Sequence, residues 1–548
     1  MKIAIRTILF VIIFLLGAAG FFYRWEYTFT PMGIVFSDPD CYSRMTRVEQ
    51  IYNGFPRGEV SGKHFFENAP HYVVPHTTLA MDLPIVALAK SFVICGIKNP
   101  LDMAGAWISP ILGLFYLVIT GVWSWRKKFG LAAFVLFALS PIVAHAFEIG
   151  RPDHQSLILL LCSIGLMCEF RYWKKQTARS GKTDFLFSLV WMFSWMLALW
   201  VSMFEPIILL CLCLLLRLFI RGRAALPKNT NDYIIVVLTF VLFLPIFANA
   251  ILRLTLHPLP PETIHYFSAW AKGIGEMQPA SWDTIFAWLG WLVPFFPLLL
   301  LWKAWRKREL FSLALVILFV VVAGLTLGTV RWAYFLPLIA ALTAPTAFTA
   351  LPLRKTLYAL LAISLWPVAA CWENNLFDEG ICMRAREKTI EANSLRTLGN
   401  QILEANPPAP ESQKSYANYW MSRPVFLAPW WDSPQLAYWS QARGLAGSSH
   451  QSLPGIVETA KFFLSTDDAE ALEILHDRQV DFIVVDDPER ILQNARTLFS
   501  QEPPSDTSKK TMAERLFRKT DIPAQLEHIA DVPHFTPFFR LYRIKKPQ

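Results

Sequence analysis

The stretch from Thr78 to Ile97, TLAMDLPIVALAKSFVICGI, decides the topology of this chain. It is long enough to cross a bilayer, which takes ~17 to 25 mostly apolar residues, yet it carries Asp82, Pro84 and Lys90. If it crossed, the basic loop Arg126-Lys127-Lys128 would face outward. So would every later basic loop: Arg171 to Lys182, Arg217 to Arg223, Arg306-Lys307-Arg308 and Arg354-Lys355. Short loops rich in Lys and Arg stay in the cytoplasm. The stretch is therefore read as a helix lying at the outer surface, within a long first outer loop spanning residues 24–102.

Around it, apolar runs of spanning length start near Ile5, Met103, Leu131, Ser156, Asp184, Ile207, Tyr233, Trp282, Leu310, Trp332 and Leu357, which gives about 11 spans. With 54% hydrophobic residues, 21 Trp, 42 Phe and only 17% charged residues among 548, the chain is too apolar for a soluble enzyme of this size. It reads as a polytopic α-helical membrane protein. The net charge of +9 sits in the cytoplasmic loops, so it does not call for a nucleic-acid partner. Lys2 and Arg6 around the first run could belong to a signal peptide. No small-x-small cleavage site follows, and Tyr23, Trp25 and Tyr27 resemble an interfacial aromatic belt, so a retained anchor is expected.

Beyond about Trp372 the composition turns polar and Pro-punctuated. Residues 1–373 are read as the transmembrane domain and 374–548 as an extracytoplasmic soluble α/β domain. In the latter, Thr466-Asp467-Asp468 caps a helical pattern running through Leu475, and Val480 to Val485 reads as a buried strand. No internal repeat or low-complexity tract is evident. Cys162, Cys168, Cys211 and Cys213 lie in apolar runs as small packing residues, whereas Cys371 and Cys382 fall near one another on the outer side and are candidates for a disulfide.

Three outward loops each hold a carboxylate: Asp40 in Ser37-Asp38-Pro39-Asp40, Asp153 in Gly150-Arg151-Pro152-Asp153-His154, and Glu276 in Gly275-Glu276-Met277-Gln278-Pro279. Carboxylates beside apolar spans are costly and usually mark chemistry or transport. Three on one face could hold a hard divalent cation and leave positions open for phosphate. The plainer alternatives are a turn former for Asp38 and a helix N-cap for Asp153. Arg331, after Gly328-Thr329-Val330, is either an interfacial side chain reaching head groups or an anion-binding group. Trp191, Trp195 and Trp200 read as belt or packing residues.

These motifs together resemble the catalytic subunits of oligosaccharyltransferases, membrane glycosyltransferases of the GT-C class. Asp40, Tyr42 and Arg44 are similar to the family's first outer loop, Gly150 to Gln155 in part to its second, Gly275 to Trp282 to its later Glu-bearing loop, and Trp430-Trp431-Asp432 to its Trp-Trp-Asp-Tyr-Gly signature. The likeness covers nearly the whole chain. The departures are Ser433-Pro434 in place of Tyr-Gly, neutral Gln155 where the family often has His or Asp, and about two fewer spans between Gln155 and Glu276.

The resemblance implies a single-subunit, inverting enzyme of the plasma (inner) membrane. It would pass a glycan from a polyprenyl-diphosphate donor to a protein acceptor, in the family an Asn, on the extracytoplasmic face. Asp40, Asp153 and Glu276, with His154 beside them, would hold Mg²⁺ or Mn²⁺. Arg331 would bind the diphosphate, Asp40 and Glu276 would orient the acceptor amide, and Trp430, Trp431 and Asp432 would bind the acceptor. Two alternatives stay open: a GT-C enzyme moving one sugar from polyprenyl phosphate to a lipid or surface polymer, and a transporter of polyprenyl-linked glycans, for which inverted repeats or broken spans in two halves would be expected.

Overall fold

The computed structural model describes residues 2–54, 63–75, 77–174, 182–222, 261–350, 354–407, 416–500, 509–532 and 539–545, with scattered positions between 234 and 248. The chain forms two compact units. The first comprises Met1–Trp25, Trp107–Leu252 and Gly275–Cys382, and the second Glu26–Ala106, Arg253–Ile274 and Met383–Gln548. The C-terminal region thus does not stand alone as 374–548: the long first outer loop and the segment before Gly275 fold with it.

The first unit is helical. Among the described residues, five helices are long and apolar enough to cross a membrane: Ile3–Thr28, Pro100–Trp125, His154–Lys174, Leu310–Gly328 and Thr356–Phe377. A sixth arises if Trp282–Leu289 and Val293–Lys307, bent by 100° at their junction, count as one span. The remaining expected runs are also helical where described, but they are shorter or more charged. The run near Leu131 is broken between Gly130–Leu139 and Pro141–Ala146, because Pro141 has no N–H to continue the ladder. Phe204–Arg221 carries Glu205, Arg217 and Arg221. Of the run near Tyr233 only scattered helical positions between 234 and 248 are described.

Phe335–Phe348 is buried on every face, as expected of a helix apolar all round, and it packs on Gly130–Leu139 and Leu310–Gly328. In contrast, Ile5, Ile8, Leu15 and Leu16 of the first helix are exposed, the surface a lipid-facing helix presents. Gly113 permits a close crossing: a Cβ there would lie 2.6 Å from the Phe21 ring and 2.8 Å from Phe147.

The second unit is built on a five-stranded mixed sheet. Counting from the small hairpin β1 (Phe29–Thr30) and β2 (Gly33–Ile34), its strands are β3 (Val425–Leu427), β4 (Arg443–Gly444), β5 (Phe482–Val485), β6 (Leu526–Val532) and β7 (Phe539–Ile544), in the order β4-β3-β5-β7-β6. β3 is parallel to β4 and β5, whereas β7 is antiparallel to β5 and β6. All four residues of β5 are buried, as the unbroken run Phe482-Ile483-Val484-Val485 requires of a central strand covered on both faces. The preceding helix, Asp468–Asp477, is capped by Asp467, whose side chain accepts from the backbone N–H of Ala469.

The helix within Thr78–Ile97 is Asp82–Ile94; its 13 residues span about 20 Å, too short for a hydrocarbon core of about 30 Å. Asp82 is fully buried and accepts from both Arg44 Nη1 (2.8 Å) and Arg47 (Nε 2.6 Å, Nη2 2.9 Å). A buried carboxylate so bridged is held firmly, and removing one partner is costly. Tyr42 is also structural here, its hydroxyl accepting from the Phe36 amide at 3.1 Å. Cys371 and Cys382 are not joined; both are free thiols, in separate helices.

Candidate active site

The loop Gly150-Arg151-Pro152-Asp153 runs into the helix His154–Lys174 in the first unit. Asp153 is almost wholly buried and accepts from the His154 amide at 2.7 Å and contacts its ring Nδ1 at 2.5 Å. Its other oxygen lies 3.8 Å from Arg151 Nη2. One residue later, Gln155 Nε2 donates to Glu276 Oε2 at 3.2 Å. The carbonyl oxygen of Gln155 is buried and has no hydrogen-bond partner among the described residues.

Glu276 sits on a single 3₁₀ turn, Gly275–Met277, pinned to the next motif because the Val330 amide donates to Gln278 O at 2.7 Å. Arg331, on the 3₁₀ turn Val330–Tyr334, is thereby brought within 3.7 Å of Glu276, Nη1 to Oε1. Its Nε donates to Glu205 in a close charged hydrogen bond. The circuit closes on the far side. Arg151 Nη1 lies 3.3 Å from His145 Nε2, and His145 Nδ1 lies 3.1 Å from Tyr334 Oη. Since a guanidinium can only donate, Nε2 accepts and Nδ1 carries the ring proton toward the tyrosine.

Three of the expected residues, Asp153, Glu276 and Arg331, therefore belong to one polar network at the ends of apolar helices, with His154 on Asp153. Asp40 is exposed in the first turn of Pro39–Gly54, in the second unit. Among the described residues, no three His, Cys, Asp or Glu side chains gather closely enough to hold a metal ion. The oxygen donors in this network are the carboxylates of Asp153, Glu276 and Glu205 and the unsatisfied side-chain oxygen of Gln155, the donor type that suits a hard cation. Sequence reading missed Glu205, His145 and Tyr334. Glu205 carries the very signal that singled out the others, a carboxylate beside an apolar run; His145 and Tyr334 carry none.

In the second unit, Trp430 and Trp431 line a cleft with Trp270, Ile456, Phe463 and Leu498. Thr459 and Asn494 are among its few polar members. Asp432 lies behind that wall, 1% exposed. Burial, then Asp486 and Glu391 beside it, push its carboxyl well above the usual carboxylate range, with Arg490 opposing. Arg490 Nη1 donates to Glu391 at 3.0 Å, lies 3.7 Å from Asp486, and stacks its guanidinium over Trp431 at 4.7 Å.

No protein-family model and no curated protein matches the chain by sequence. Solved structures match by shape. The oligosaccharyltransferase of Archaeoglobus fulgidus in its apo form superposes with a TM-score of 0.65 at 13% identity, covering 96% of this chain and 79% of that one. The same organism's AglB, in complex with an inhibitory peptide and a dolichol-phosphate, gives 0.59 at 15% identity over 88% of this chain and 69% of that one. The Archaeoglobus fulgidus enzyme in complex with Zn and sulfate gives 0.60 at 14%, over 96% and 79%. Over nearly its whole length, this chain has the fold of an oligosaccharyltransferase.

Proposed function

We propose that the chain is a membrane glycosyltransferase that moves a glycan from a polyprenyl-diphosphate donor to a polypeptide acceptor, Asn in the first instance, on the extracytoplasmic face. The observation that carries this reading is Arg331, held between Glu205 and Glu276 beside Asp153 and Gln155. A fixed guanidinium among carboxylates at the ends of apolar helices suits a diphosphate whose lipid tail stays in the bilayer. The solved relatives add a lipid phosphate, a peptide and a metal to the same fold.

In the reaction the anomeric C–O bond to the diphosphate breaks as a bond to the acceptor nitrogen forms, and the amide proton passes to the Glu276 carboxylate that accepts from the N–H. Negative charge grows on the departing diphosphate, and Arg331 is placed to stabilise it. Glu276 would accept from the acceptor N–H, weakening amide conjugation and orienting the nitrogen lone pair. Asp153 and Glu276, with the unsatisfied Gln155 side-chain oxygen, would hold a Mg²⁺ or Mn²⁺, which would supply Lewis-acid stabilisation of the leaving group; His154 is added to them from the sequence resemblance. Asp40 belongs to the other unit, and its share in the metal site and in acceptor orientation is proposed from the sequence resemblance. Attack from the face opposite the leaving group inverts the anomeric carbon. The Trp430–Trp431 wall is the proposed acceptor surface, with Asp432 supporting it from behind.

The test is glycoproteomics of surface proteins from cells with and without this chain, paired with transfer assays on the purified full chain. Loss of glycan from Asn supports the reading. Loss from lipid or polymer alone replaces it with the polyprenyl-phosphate alternative.

A further inference from the structure

Arg331 has two acidic neighbours, and they differ in kind. Glu276 lies on a short turn with a side chain 35% exposed, and its contact to Nη1 is long, 3.7 Å. Glu205 is 5% exposed at the side chain and binds Nε directly. It stands in the first turn of the helix Phe204–Arg221, immediately before Pro206, where a carboxylate is favoured by the helix dipole. Its second oxygen accepts from Ser202 Oγ at 3.4 Å. The Phe204 ring lies 5.7 Å from the guanidinium carbon.

We infer that Glu205 is the positioning residue of the anion site: by gripping Nε it fixes the guanidinium plane, so that the terminal Nη1 and Nη2 edge is presented to a diphosphate. This rests on the reading of Arg331 as a donor-binding group. Guanidinium forks recognise phosphate oxygens through paired N–H donors. A grip at Nε leaves that fork available, and the looser Glu276 contact is the one an incoming phosphate displaces. Glu276 is then released toward the acceptor while Glu205 keeps Arg331 in place.

A role through charge alone makes the opposite forecast, because Glu205 adds a negative charge beside the anion. The two are separated by farnesyl diphosphate binding, with Mg²⁺ present, to the purified full chain in detergent, measured calorimetrically. Glu205→Asp keeps the charge but shortens the reach; it should weaken binding about 5-fold or more, since charge-assisted hydrogen bonds depend on geometry. Glu205→Gln keeps an oxygen that can accept from Nε and loses the charge; it should bind within about 2-fold of the parent. Neither change should matter when Arg331 is Ala. Parent-like binding by Glu205→Asp, or tighter binding by Glu205→Gln, overturns the inference while leaving the role of Arg331 standing. If Arg331→Ala itself binds farnesyl diphosphate as the parent does, the donor-site reading falls and this inference with it. Thermal unfolding of each variant confirms that the fold is kept.

Discussion

The Glu276–Arg331 motif and the Trp430-Trp431-Asp432 motif look equally site-like as sequence, but their surroundings differ. In the first unit the motif's charges meet their opposites: Arg331 lies between Glu205 and Glu276, and Arg151 is beside Asp153. In such a network a long ion pair, such as Arg331 with Glu276 at 3.7 Å, can be exchanged for a ligand. In the second unit, Asp432 is buried beside Asp486 and Glu391, with the Arg490 guanidinium opposing them. A buried acid among acids is pushed toward its neutral form, and the face it supports is aromatic and apolar. One motif is built to bind charge and the other to shape a surface.

The largest effects should therefore fall on the first motif. Arg331→Ala and Glu276→Ala should each lower kcat/KM for glycan transfer by about 10²–10³-fold, the usual cost of removing a group aimed at transition-state charge. Chelator should abolish activity, and Mg²⁺ or Mn²⁺ should restore it. Full turnover in chelator would remove the metal from the proposal. Trp430→Ala should raise the acceptor KM by roughly 10-fold, since a large aromatic contact surface is lost. Hydrolysis of donor to water should be unchanged. If Trp430→Ala instead affects donor and acceptor equally, the contrast between a charge site and a shape site is wrong.

Asp432→Asn is a sharper test of the contrast. If the acid is buried and protonated, Asn replaces it with little change in volume or charge, and the acceptor KM should stay within about 3-fold. The pH profile of stability should change, however. A carboxyl whose folded pKa is raised stabilises most below its unfolded value, and that contribution is lost as pH rises through the folded pKa. Asp432→Asn should thus resist alkaline destabilisation better than the parent. A KM rise equivalent to about 1–3 kcal/mol, the cost of leaving a buried partner unpaired, would mean that Asp432 reaches the acceptor after all.

How much of this was legible follows the same division. Periodicity and capping rules found β5 and the Asp467 cap because both are local: an unbroken apolar run, and a side chain bonded two residues on. Carboxylates beside apolar runs singled out Asp153 and Glu276, and the family resemblance singled out Arg331; that the three share one polar network was not legible, because their links run through Gln155, Glu205 and His145. Nothing in the sequence separated Asp432 from a solvent-facing acid, because its neighbours Asp486 and Glu391 are far away in the chain. Nor did composition show that 26–106 and 383–548 share a unit. That union is made by long-range packing, with Phe65 and Phe66 in one core with Leu395, Phe426 and Phe482, and by hydrogen bonds such as Tyr438 donating to Asp102 and Gln441 Nε2 donating to Glu49 at 2.9 Å.

The smallest expected effect probes that union. Glu49 lies on the helix Pro39–Gly54, which packs against Ser433–Ser440. Burial, then the charge of Asp102, raise its carboxyl to about 7, while the Gln441 hydrogen bond pulls the other way. Between its unfolded value and about 7 the native state therefore binds more protons than the unfolded chain, so this contribution to stability declines as pH rises through that window. Glu49→Gln removes the titration while keeping an acceptor for Gln441. The melting temperature of the full chain should fall less steeply between pH 5 and 8 in Glu49→Gln, by about 2 °C over the window. Identical slopes in parent and variant would show that Glu49 is solvated as an ordinary surface acid, and that the first loop is held to the C-terminal segment by its other contacts instead.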